Sequence, residues 1–167
     1  IESDKFESAL KEIGELLGFV SQRPDTEIRK GPDNLWCGTN NEYAFFECKS
    51  EVEENRKEIS KHEAGQMNNH SAWFETEYGD NILVNRYLLI PTKELSYYGD
   101  FTHEVRIIRK GKLRTFKENV KRFIKELKQY NLNDISDERL QKFIDLHHLN
   151  LGDIRELYSE EYYHRTK

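Results

Sequence analysis

Apolar residues recur at Phe6, Leu10, Ile13 and Leu17, with Ala9 and Leu16 beside them. That spacing puts one apolar stripe on a helix, so residues 4–18 are predicted to form an amphipathic first helix. Asp4 and Glu7 fit a capping box at its start, and Gly18 fits its stop. Residues 19–23 suit a short strand. Gly31-Pro32 forces a turn, and two strand candidates follow at 33–37 and 43–49. The linker at 38–42 is short enough for a hairpin. Residues 51–59 read as a charged, mobile connection. Ser60 and Glu63 form a second capping box, opening a helix that runs to about Glu77. Residues 85–91 and 103–109 look like buried strands. Thr115 and Glu118 are expected to cap a third helix with Phe116, Val120, Phe123, Ile124 and Leu127 on its apolar face. Ser136 starts a fourth, with Leu140, Phe143 and Ile144 inward, and a Tyr-rich stretch at 151–163 closes the chain. The order of helix, three strands, helix, strand, then a strand and helices reads as α/β.

Composition changes this picture little. Hydrophobic residues make up 36% and charged residues 34%, which is polar, but 12% aromatics supply enough bulk for a core. No apolar run reaches the roughly 18 residues a membrane helix needs, and no signal peptide is visible. Cys37 and Cys48 sit in apolar strand contexts and read as small buried hydrophobes, not as a disulfide pair. These features point to a cytoplasmic protein. The chain begins with Ile1 and its only methionine is Met67. The expectation is therefore a fragment or a processed product of a larger protein, with partner domains missing.

Charge changes it more. The net is −5, yet residues 104–130 hold ten Lys/Arg against three Glu, a local +7 on a remainder of −12. Arg106, Arg109, Lys110, Lys112 and Arg114 are predicted to lie on a strand and turn, where five cations crowd without acidic partners. Contact with nucleic-acid phosphates explains such crowding. A solvated helix face is the ordinary alternative.

The candidate chemistry lies at the end of the 43–49 strand. Alternation puts Phe45, Glu47 and Lys49 on one face and Ala44, Phe46 and Cys48 on the other. Antiparallel pairing with the 33–37 strand brings Asp33 beside Glu47. Two adjacent carboxylates repel one another unless a cation sits between them. An oxygen-only donor set favours a hard ion such as Mg²⁺, or Mn²⁺ in its place. Such an ion activates water and neutralises phosphodiester charge, and the neighbouring lysine stabilises charge that develops there.

Gly31-Pro32-Asp33, followed by Glu47-Cys48-Lys49, resembles the motif of the PD-(D/E)XK nuclease superfamily. The resemblance implies a restriction-endonuclease-like αβββαβ core with a mixed central sheet flanked by helices, and metal-dependent cleavage of DNA. It implies metal binding by Asp33, Glu47 and the backbone carbonyl of Cys48, with Lys49 as the catalytic lysine. Glu7 matches an acid that many members carry on the first helix. Gln66 matches a glutamine found on the following helix in several branches. Residues 59–80, "ISKHEAGQMNNHSAWFETEYGD", look like the nuclease-like domain at the end of some bacterial DEAD/DEAH-box helicases, which implies a covalently linked helicase or ATPase domain as partner. The core resemblance covers residues 1–92; residues 93–167, an additional strand and helical tail, resemble that domain's tail loosely.

Each residue also has an ordinary reading. Glu7 doubles as a capping acid, Asp33 as a turn aspartate, Glu47 and Lys49 as a surface pair, and Gln66 as a solvated residue one turn from His62 and His70. His147 and His148 are adjacent on a helix, point apart, and suit a helix end. The function expected is a metal-dependent DNA endonuclease domain of a larger defence, restriction or repair protein. A DNA-binding module of the same fold that does not cut, and an RNA-cleaving member, are the alternatives. The sequence leaves the oligomeric state open, a homodimer included.

Overall fold

The computed structural model describes residues 2–49 and 55–167. Residues 51–54 of the charged connection lie outside the described residues; the rest of it ends on Ile59, which is buried and bridged to Leu95.

Helix α1 (Glu2–Leu16) turns Leu10 inward, Leu17 follows it into the core, and the chain turns away at Gly18, whose φ of +91° a side chain would strain. It lies close on the sheet because Gly14 has no Cβ: one placed there would stand 2.4 Å from Trp36 Nε1. The expected capping box is not formed. The helix starts before Asp4, and both acids instead reach Arg23, whose guanidinium offers charge-assisted bonds a backbone N–H does not match.

Strand β1 (Val20–Gln22) and the four-residue helix α2 (Pro24–Glu27) lead to β2 (Asn34–Cys37) and β3 (Glu42–Cys48). The short link between β2 and β3 holds a 3-10 turn at Thr39–Asn41. Helix α3 (Lys61–Tyr78) opens with the Ser60–Glu63 capping box, as its sequence predicts, and β4 (Leu83–Leu89) follows. After β5 (Glu94–Leu95) comes β6 (Arg106–Ile108), then α4 (Lys110–Leu127), α5 (Asp137–Leu146), α6 (Leu151–Asp153), a π-turn at Ile154–Tyr158 and β7 (Tyr163–His164).

The main sheet runs β1-β2-β3-β4-β6 and is mixed: β1, β2 and β3 are antiparallel in turn, while β3, β4 and β6 are parallel. The fold is α/β. Strand alternation divides the core as predicted. Ala44, Phe46 and Cys48 pack with Trp36, Tyr87 and Ile108 under α1, α4 and α5. Phe45 joins Leu35, Leu88 and Ile107 under α3, which contributes Ala64, Met67 and Phe74.

The largest departure concerns α4. Thr115 does not cap it; the helix begins at Lys110, and Thr115 Oγ1 donates back to Gly111 O at 3.2 Å. Lys110, Lys112 and Arg114 are therefore helical and not on a strand and turn. Leu113, packed against the core, extends the apolar face one turn ahead of Phe116.

Candidate active site

Three elements deliver the predicted residues to one end of the sheet. The β2–β3 register pairs Asn34 with Phe46, so Asp33 and Glu47 stand one residue beyond, side by side. Asp33 is held there by the Cys48 N–H, which donates to its Oδ2 at 2.6 Å. Cys48 thus contributes a backbone donor to this site, while its thiol is buried in the opposite core layer and its pKa is pushed up by that burial. Lys49 Nζ donates to Gln66 Oε1 at 2.8 Å, so the predicted lysine and glutamine meet. Glu7 arrives from α1 and is buried; its backbone carbonyl accepts from Asn34 Nδ2 at 2.9 Å, tying the helix to the residue after Asp33.

The electrostatics are strained in one direction. Burial pushes the Asp33 carboxyl up to about 8, helped by the charge of Glu47 and opposed by the Cys48 N–H. Burial also raises Glu7, against the hydrogen bond from Arg23. Acids that resist ionising beside other acids are a site that a cation would relieve.

Sequence reasoning missed four residues. Asp25, on α2, brings a third carboxylate: ligand oxygens of Glu7, Asp25 and Asp33 lie within 4.8 Å of one another. The Asp25 N–H donates to Pro32 O at 3.3 Å, which keeps α2 against the Asp33 loop. Nothing in the sequence marked Asp25. Arg23 pairs with Glu7 at 2.7 Å and Asp4 at 2.9 Å, and donates to Ser8 Oγ at 2.9 Å. His70 Nδ1 and Glu47 Oε2 share a hydrogen bond. Its signal was available, since it follows Gln66 by one helical turn and so faces the same strand end. Lys117 is the fourth, on α4.

The close group of acids joins Glu7 and Asp25 to Asp33, and the neighbouring Glu47 carboxylate hydrogen-bonds His70. All the side-chain donors offered are carboxylate oxygens, which fits Mg²⁺ or Mn²⁺.

The basic residues separate. Arg106 is turned inward: its Nε donates to Ser159 Oγ at 2.7 Å and its Nη2 to Ser159 O at 3.0 Å. Arg109 pairs with Glu160, against the expectation that these cations lack acidic partners. Glu160 comes from the chain terminus, fifty-one residues away, where no local pattern announces it. Lys112 is exposed on α4. Lys110, Arg114 and Lys117 line a cavity of about 360 Å³ together with Lys49. His147 and His148 bond separately, to Glu126 and Asp153, and form no joint site.

No protein-family model matches the chain, and no curated protein or solved structure matches it. Among the described residues no helix is long and apolar enough to cross a membrane.

Proposed function

We propose that the chain is a metal-dependent DNA endonuclease domain, cytoplasmic, and active on the phosphodiester backbone. The observation that carries this reading is the convergence of Asp33, Glu47, Lys49 and Gln66 at one strand end, with Glu7 and Asp25 beside them. In this reading a bound Mg²⁺ or Mn²⁺ supplies a lowered water pKa and charge neutralisation at the phosphate. Asp33 and its neighbouring carboxylates hold the ion. Gln66 accepts from Lys49 and so aims its ammonium at the cleavage point, where it offsets charge on the phosphate. His70 fixes the orientation of the Glu47 carboxylate.

One observation favours a second reading, a nucleic-acid-binding module that does not cut. Glu7 is already neutralised by Arg23, and Glu47 is engaged by His70. Nicking of supercoiled plasmid separates the two. Cleavage is expected with Mg²⁺ or Mn²⁺, lost in a chelator, and abolished by Asp33→Ala, Glu47→Ala or Lys49→Ala in proteins that remain folded. Full activity in any of those variants overturns the site. No cleavage by the wild type, with DNA binding kept, supports the binding module. A parallel RNA substrate tests the sugar preference.

A further inference from the structure

We infer that the cavity beside Lys49 holds one unpaired nucleotide, so that the site takes single-stranded in preference to fully paired nucleic acid. The inference rests on the phosphodiester reading above for the presence of a strand.

The cavity opens between α1 and the first turns of α4, where Lys49, Leu89 and Ile108 mark the carboxyl ends of the parallel strands β3, β4 and β6. Ligands of open α/β sheets collect at that end. Its volume of about 360 Å³ is at the scale of a single small-molecule site. The lining has two halves. Phe6, Leu89 and Leu113 give an apolar wall, while Lys49, Lys110, Arg114 and Lys117 give a cationic rim, and no acid lines it among the described residues. Lys110, Arg114 and Lys117 follow at helical spacing on one flank of α4. Lys49, Arg114 and Lys117 form no ion pair within the described residues; Lys49 meets the neutral Gln66, and Lys117 Nζ lies 4.7 Å from the centre of the Phe6 ring.

A nucleotide is divided in the same way, into a flat base with apolar faces and an anionic phosphate. A bare inorganic anion would use the rim and leave the wall unfilled. A base inside a duplex reaches a concave pocket only by leaving its stack and its partner, whereas a single strand meets a smaller cost. An aromatic surface with flanking cations is also the means by which single strands are held without regard to sequence.

The test measures binding by the full chain in EDTA, so that cleavage does not enter. The probes are a labelled single-stranded oligodeoxynucleotide of about 12 nucleotides and a blunt hairpin duplex of the same sequence. The wild type is expected to bind the single strand about tenfold tighter. Leu113→Trp, which fills the cavity, and the double change Arg114→Glu with Lys117→Glu, both checked for folding by thermal melting, should remove the preference. Lys128→Glu, an exposed charge reversal outside the cavity, should keep it. Free deoxyadenosine monophosphate should compete only weakly. Equal affinity for the two probes overturns the inference, as does a preference that survives in the folded double variant. Competition by the free nucleotide at the oligonucleotide's own affinity also overturns it, making the cavity a mononucleotide site. The two readings fail separately: a strand preference without cleavage sinks only the nuclease, and cleavage without a preference sinks only the cavity.

Discussion

Asp33 follows the buried pair Gly31-Pro32 and takes its one strong hydrogen bond from the Cys48 N–H, while burial and the charge of Glu47 push its carboxyl up to about 8. The unfolded chain releases this proton near the ordinary 3.8, and the folded chain keeps it to about 8. The folded state therefore binds more protons across that window, and stability falls as pH rises through it. Asp33→Asn removes the ionisation. It should gain ~1–3 kcal/mol relative to wild type on going from about pH 5 to about pH 8.5, less than the full shift because solvent reaches the group. Thermal melts at the two pH values read this directly; parallel pH dependences would assign the effect to another group. A divalent cation favours the ionised form, so millimolar Mg²⁺ should raise the wild-type melting temperature more at the higher pH. That increment should vanish in Asp33→Asn.

At the scale of elements, the turn before β2 decides whether the acid reaches the site. Gly31 has φ of +87°, and a Cβ there would stand 2.7 Å from the Trp73 ring on α3. Gly31→Ala faces both a left-handed backbone and an aromatic wall. A loss of ~1–3 kcal/mol is expected in urea unfolding. Trp73 Nε1 has no hydrogen-bond partner among the described residues, so its ring is held there by packing. Adding Trp73→Leu should recover the steric part of the loss and leave the backbone part. Strictly additive single costs in this double-mutant cycle would show that the ring is not what the new methyl meets. The start of α4 was illegible for a related reason. Arg109 precedes it without a side-chain cap, and Gly111 in its first turn is a poor helix former. Packing of Leu113 supplies what local pattern lacks.

For the whole molecule, an acidic protein gathers seven of its 26 Lys/Arg on one helix, α4. The inward stripe of α4 is Phe116, Val120, Phe123 and Leu127; Arg114, Lys117 and Lys121 remain exposed. Each phosphate these residues neutralise releases counterions, so the logarithm of affinity for a single strand should fall with that of salt by about 0.7 per contact. Replacing Arg114, Lys117 and Lys121 by alanine should flatten that slope by up to about two. Arg109→Ala should leave it nearly unchanged, because Glu160 already engages the guanidinium. A salt titration of oligonucleotide affinity checks both. Flattening by Arg109→Ala alone would mean that the ion pair opens on binding.

The sequence by itself determined the features that act over a few residues. Alternation through Ala44, Phe45, Phe46, Glu47 and Cys48 assigned the two faces of β3, and Ser60 with Glu63 started α3, because strand period and cap geometry are local. The same local reading brought Asp33 beside Glu47, since a short link sets the register of a β2–β3 pair. Only the tertiary structure decided who satisfies whom. Arg23 rather than a backbone amide took Glu7, His70 took Glu47, Asp25 came within reach of Asp33, and Glu160 closed on Arg109. A charged side chain has many candidate partners along the chain, and packing decides among them: nearness in space sets the interaction, most strongly where solvent is excluded, as at Arg23 and Glu7, and sequence distance does not.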